Sequence, residues 1–247
     1  MSTQSHPQSL ALDDKYHWLG EPTISSPPEP CLAETPHCLF APLHYERGYA
    51  YPLIVWLHGP GSNEQELQQV MPHISMRNHI AVAPRGVQDT NCMGCGFGWK
   101  QTIDAVVEAG DRVKGCLEFA QQRFHIHPER IFVAGVGSGG TMALRMGMEH
   151  PELFAGAVSL GGPVPRGLRP LKRINEARTL PLLLAISPDP MDYSLDHAMG
   201  DLRLLHYAGF SLSLRLYPDS DPLTTTMLSD ANGWIMEQIC PTTAASC

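Results

Sequence analysis

No apolar run in this 247-residue chain approaches the length of a membrane-spanning helix, and residues 1–14 are polar, with no basic start leading into an apolar stretch. The sequence therefore predicts neither a membrane span nor a secretory leader, and a cytoplasmic protein is the expectation. Positive charge is scarce as well: 17 Lys and Arg against 25 Asp and Glu leave a net charge of -8 with histidines neutral. Phosphate backbones are bound by clustered cations, so no nucleic-acid partner is expected. The one basic stretch, Arg166-Gly167-Leu168-Arg169-Pro170-Leu171-Lys172-Arg173, reads as a solvated loop, with an acidic partner or ligand as the alternative. A disulfide framework is missing too, because the seven cysteines are odd in number and scattered through a chain long enough to build a core without staples. Cys92 and Cys95 form a lone C-x-x-C pair with no second pair and no thioredoxin-like context, and His125 and His127 are spaced unlike zinc ligands. No metal and no cofactor is expected.

What the chain does contain suits one α/β domain, with 43% apolar residues and no internal repeat. Residues 1–35 are the exception, rich in Ser, Pro and Gln and including Ser25-Ser26-Pro27-Pro28-Glu29-Pro30. Such a composition cannot bury enough surface to offset the entropy of ordering. A flexible arm is expected over 1–35, a folded domain over 36–240 and a tail over 241–247. Apolar runs of strand length at 38–45, 52–57, 80–83, 131–135, 157–160, 182–187 and 212–217 alternate with helical patterns at 63–71, 104–124, 201–208 and 224–239. The later runs are continuously apolar, as strands covered on both faces are. Asn63 and Glu66 read as a capping-box helix start, and Gly209 as a helix C-cap. The alternation predicts an α/β fold, a mainly parallel sheet with helices on both faces.

The segment Ile131-Phe132-Val133-Ala134-Gly135-Val136-Gly137-Ser138-Gly139-Gly140-Thr141 reads as a buried strand entering a helix through a sharp glycine turn. Upstream stand Trp56-Leu57-His58-Gly59-Pro60-Gly61, Ala83-Pro84-Arg85-Gly86, Gly98-Trp99 and His127-Pro128-Glu129-Arg130; His150-Pro151-Glu152-Leu153-Phe154 follows the elbow helix. In this order and spacing the landmarks resemble the phospholipase/carboxylesterase family of α/β-hydrolases, which includes acyl-protein thioesterases, over roughly residues 38–240. The resemblance implies an α/β-hydrolase fold and a Ser-Asp-His triad acting on acyl esters or thioesters.

Carried across residue by residue, the resemblance breaks where the chemistry happens. The family's elbow resembles Gly-Phe-Ser-Gln-Gly-Gly, and anchoring on Gly135, Gly139 and Gly140 puts Gly137 in the serine's place and Ser138 in the glutamine's. The triad histidine belongs on the loop after the last strand, yet no histidine follows His206, and Asp221 takes that place in Tyr217-Pro218-Asp219-Ser220-Asp221. A carboxylate there is a poor proton shuttle near neutral pH. The triad acid is expected after the run at 182–187, where gapless counting reaches Pro190 and a small shift reaches Asp189 or Asp192. The family's oxyanion hole takes a backbone N–H from the residue after His-Gly, and His58-Gly59 is followed here by Pro60, which has none.

Four departures clustered at one site predict a pseudoenzyme, a relative that has lost serine-hydrolase catalysis and binds either an acyl-type small molecule or a protein partner. The rival is an active carboxylesterase or thioesterase with a rearranged site built on Ser138, His58 and an acidic residue. Against it, Val136 is bulky beneath the turn, and histidine in a His-Gly motif more often organises its loop by hydrogen bonding. Ser138 is also at home at a helix N-terminus. Asp189, Asp192, Asp219 and Asp221 are candidates for a hard-cation site, with solvated loop carboxylates as the default reading.

Overall fold

The structure, a computed structural model, describes residues 36–89, 96–187, 193, 195–218, 221 and 223–240. The expected arm and tail, the Cys92 and Cys95 pair, and Asp189, Pro190, Asp192 and Asp219 lie outside the described residues. In chain order the first half comprises β1 (His37–Phe40), β2 (Tyr51–Leu57), α1 (Glu66–Ile74), β3 (Ile80–Pro84), β4 (Val87–Asp89), β5 (Gly96–Gly98) and α2 (Ile103–Arg123). Then come β6 (Ile126–Val136), α3 (Ser138–Glu149), β7 (Gly156–Leu160), α4 (Ile174–Ala177), β8 (Leu182–Ile186), α5 (Leu195–Tyr207), β9 (Leu212–Leu216) and α6 (Thr225–Ile239).

Among the described residues, seven strands form one sheet in the order β1-β3-β2-β6-β7-β8-β9, and β4 pairs with β5 in a separate antiparallel hairpin. In the large sheet β1 runs antiparallel to β3, and every other pairing is parallel. Parallel neighbours need a crossover, and a helix supplies one between each successive pair of parallel strands. The two faces bury different residues. Along β2, Leu53, Val55 and Leu57 enter the core shared with α2, α3 and α5, while Ile54 and Trp56 enter the core under α1 and α6. A strand covered on both sides has no polar face to show, which is why these runs are continuously apolar. On α1 the buried positions Leu67, Val70, Met71 and Ile74 recur at helical spacing, as do Leu228, Ala231, Trp234 and Ile235 on α6. Trp234 meets Phe132 of β6 edge-on with ring centroids 6.4 Å apart. Each large apolar side chain buried in this way contributes about 1.5–3 kcal/mol.

Several element ends differ from the sequence expectation. β6 begins at Ile126 rather than 131, because Ile126 already pairs with Tyr51, which donates its N–H to His125 O at 2.8 Å. α5 begins at Leu195 rather than 201, its buried stripe being Ala198, Asp201 and Leu205. The capping box at Asn63 and Glu66 is not formed. Asn63 Oδ1 accepts the N–H of Gln65 at 2.8 Å, and Glu66 turns toward the end of β2 instead. Among the described residues, no helix is long and apolar enough to cross a membrane.

Candidate functional site

Gly137 makes the turn between β6 and α3 with φ 56° and ψ -122°. Side chains rarely adopt this backbone conformation, whereas glycine reaches it without steric cost. The turn is pinned from both sides: Gly137 donates its N–H to Leu160 O at 2.9 Å, and its carbonyl accepts the N–H of Thr141 at 3.0 Å. The first turn of α3 lies so close to β2 that a Cβ on Gly139 would collide with the carbonyl of Leu57. This is the shape of a nucleophile elbow, with no side chain at its apex.

Pro60 stands against that apex. A Cβ built on Gly137 would lie 3.0 Å from Pro60 Cδ and 3.5 Å from Pro60 Cγ, so the pyrrolidine ring fills the space into which a side chain at 137 would emerge. The loop carrying Pro60 has each of its N–H groups engaged. Gly59 donates to both carboxylate oxygens of Glu66, at 3.2 and 3.1 Å. Gly61 donates to Phe97 O at 2.9 Å, and Ser62 donates to Gly59 O at 3.2 Å. Pro60 has no N–H. An oxyanion hole needs donors left free to meet developing charge, and residues 59–62 leave none. Glu66 also accepts from Trp56 Nε1 at 2.8 Å, so one carboxylate joins the end of β2 to the loop after it.

His58 is fully buried with both ring nitrogens engaged. Nε2 lies 2.9 Å from the N–H of Gly86 and must accept, so Nδ1 carries the proton and donates to Gly59 O at 2.8 Å. Burial holds the imidazole below its ordinary pKa, with the bond to Gly59 opposing that shift. Trp99 Nε1 donates to His58 O at 3.0 Å. Beside the loop, Arg85 Nε donates to Glu64 Oε2 at 2.6 Å, and this guanidinium holds the buried Glu64 carboxyl below the usual carboxylate range. The same guanidinium lies 4.8 Å from the centroid of Phe97. In the sequence Glu66 carries a capping signal, while Arg85-Gly86 and Gly98-Trp99 are landmarks only; their contacts are tertiary.

The structure thus brings Gly137, Pro60 and the end of β2 together. Ser138 Oγ, expected to bond at the helix N-terminus, is buried with no partner among the described residues. The N-cap position, from which a side-chain oxygen accepts the free N–H groups of the first turn, is held by Gly137, and Ser138 stands one residue past it. Asp221 is exposed, and the other acidic candidates, Asp189 and Asp192, lie outside the described residues. Among the described residues no group of three or more His, Cys, Asp or Glu is placed to hold a metal ion.

A parallel sheet with these crossovers, a left-handed elbow between β6 and α3, and a His-Gly loop beside it define the α/β-hydrolase fold. Solved structures of that fold superpose on the chain at low identity. Arabidopsis thaliana SOBER1 does so at 21% identity and a TM-score of 0.65, over 77% of this chain and 100% of that one. The Bacillus cereus carboxylesterase gives 18% and 0.65 over 83% and 95%, and Zea mays acyl-protein thioesterase 2 gives 20% and 0.63 over 83% and 100%. A sequence model of the prolyl oligopeptidase family matches residues 94–164, the stretch that contains the elbow. Among curated proteins, the chain is 30% identical over 123 residues to NocK of Nocardia uniformis subsp. tsuyamanensis, covering 46% of this chain and 33% of that protein. It is 32% identical over 125 residues to an acetylxylan esterase of Coprinopsis cinerea, covering 45% and 31%. The chain therefore spans about a third of the length of the curated relatives it matches.

Proposed function

We propose that this chain is a non-catalytic relative of the phospholipase/carboxylesterase enzymes that acts by binding an acyl-type small molecule or a protein partner. The observation that carries the reading is Gly137 at the elbow with the Pro60 ring packed against it. Loss of a serine nucleophile costs on the order of 10⁶-fold in turnover, and loss of one oxyanion donor about 10²- to 10³-fold. These factors do not simply multiply, but either one leaves the acyl-enzyme route negligible. The bonding of His58 supports the same reading, since its one basic nitrogen already holds the N–H of Gly86. The stretch between β9 and α6 carries Asp219 and Asp221 and no histidine to replace it.

The test is hydrolysis of p-nitrophenyl acetate, p-nitrophenyl butyrate and an acyl thioester by the purified chain, with rates at the buffer background as the expected result. The unpartnered hydroxyl of Ser138 favours one rival, a rearranged esterase or thioesterase using Ser138. Turnover that persists through purification and disappears in Ser138→Ala would establish that rival.

A further inference from the structure

Positive charge is concentrated in the connection from β7 to β8. Five of the chain's 17 Lys and Arg, namely Arg166, Arg169, Lys172, Arg173 and Arg178, fall within residues 166–178 of a chain whose net charge is -8. Arg166 and Arg173 are tied down, by Asp201 at 2.8 Å and Glu152 at 2.7 Å. Arg169 and Lys172 form no ion pair among the described residues.

The backbone that displays them is held from beneath by Arg145 of α3, whose side chain is fully buried. Its Nη2 donates to the carbonyls of Arg166 at 3.0 Å and Gly167 at 3.3 Å, its Nε to Gln101 Oε1 at 2.6 Å and its Nη1 to Glu149 Oε1 at 3.1 Å. A buried guanidinium is costly unless its donors are met. Two of those donors here fix the shape of a surface loop. Gly167, Leu168 and Arg169 have φ of 68°, 54° and 53°. The two non-glycine residues are strained by about 1–2 kcal/mol each in such a backbone, which persists only where the surroundings impose it. The loop expected to be merely solvated is exposed at Arg166, Gly167, Leu168, Arg169 and Lys172, yet its backbone is clamped.

Above the clamp lies an open groove of about 520 Å³, with Pro165, Pro170, Leu171 and Leu204 as its apolar surface and Arg166, Arg169 and Lys172 as its cations. Small-molecule pockets enclose most of their ligand; an open groove suits an extended segment. We infer that this groove docks a peptide segment of a protein partner, one that combines acidic side chains with a large apolar residue. The apolar residue packs on Pro170, Leu171 and Leu204, while the carboxylates meet Arg169 and Lys172, the groove cations with no ion pair among the described residues. Pre-ordering by Arg145 lowers the entropy lost on binding. The inference holds whether or not the elbow is catalytic.

Selection of a random 12-residue peptide library displayed on phage against the full chain tests it. Enriched peptides are expected to be rich in Asp and Glu and to carry Leu, Phe or Trp. By fluorescence polarisation they should bind at least about 10-fold more weakly to the Arg169→Glu/Lys172→Glu protein. They should also weaken with Leu204→Ser, and be unaffected by Arg47→Glu/Arg77→Glu, which makes the same charge change at exposed sites elsewhere. Thermal melting checks that each variant is folded. The proposal is overturned if no peptide is enriched, if binding survives Arg169→Glu/Lys172→Glu, or if both double variants weaken it equally. Partition onto phosphatidylserine vesicles that Arg169→Glu/Lys172→Glu abolishes, with no peptide enriched, overturns it in favour of a membrane surface.

Discussion

Replacing Gly137 with serine puts a hydroxyl at the apex of the elbow, and the structure sets what that costs. The backbone there has φ 56° and ψ -122°, and it is held by the bonds of Gly137 to Leu160 and Thr141, so it cannot relax toward ordinary angles. Holding a non-glycine residue in such a region costs about 1–3 kcal/mol. The new Cβ would also approach Pro60 Cδ at 3.0 Å, and Pro60 is flanked by Gly59 and Gly61, both hydrogen-bonded and slow to yield. Overpacking of this kind adds about 1 kcal/mol or more. The expected loss for Gly137→Ser is about 2–4 kcal/mol, read as a lower urea midpoint and, at about 2–4 °C per kcal/mol, a Tm lower by about 5–15 °C. Gly137→Ala should cost nearly as much, because the penalty lies in the Cβ. In a Pro60→Ala background the penalty should shrink by at least about 0.5 kcal/mol, the coupling expected of residues in contact. No variant of the set should hydrolyse acyl esters. A Gly137→Ser protein that melts at or above the parent, an undiminished penalty with Pro60→Ala, or clear turnover would refute this reasoning.

Acid should weaken the fold before its carboxylates titrate. His58 and His79 are both fully buried, and burial holds both below the ordinary value of 6.5. The unfolded chain therefore binds more protons than the folded one below that value. Stability is full above about pH 6.5 and falls toward the folded pKa values at about 1.4 kcal/mol per pH unit per histidine. Urea midpoints from pH 8 to 5 measure the slope, which His79→Gln should reduce; a flat profile would contradict the prediction. Glu66→Gln should cost about 1–3 kcal/mol through its bonds to Gly59 and Trp56, whereas Glu46→Gln, at an exposed site, should be neutral within about 0.5 kcal/mol. The thiol of Cys116 is pushed up to about 12 by burial. Mass mapping with a thiol reagent should find exposed Cys240 modified in the native protein and Cys116 only after unfolding.

The sheet is legible in the sequence because its inner strands are apolar on both faces and separated by helical patterns. The ends of elements are less so. Asn63 and Glu66 have the spacing of a capping box, but Glu66 meets the donors of Gly59 and Trp56 instead, and a single carboxylate cannot serve both ends. The start of α5 is hidden because Gly200 interrupts the pattern and few of the helix's residues are buried. At the site, the glycine at the apex of the elbow and the missing N–H of Pro60 follow from residue identity alone. Their contact does not, since it exists only because β2 pairs with β6 and brings Leu57 beside Gly135. The clamp at Arg145 leaves one trace, a cation within the otherwise apolar stretch Met142-Ala143-Leu144-Arg145-Met146, and the carbonyls it holds come from a loop beyond the next strand.

The central claim, that the elbow carries no reactive hydroxyl, is tested most directly by intact-mass spectrometry after exposure to a fluorophosphonate probe. The expected spectrum is that of the unmodified chain, under conditions that label a control serine hydrolase to completion. A stoichiometric adduct mapped to Ser138 would contradict the account.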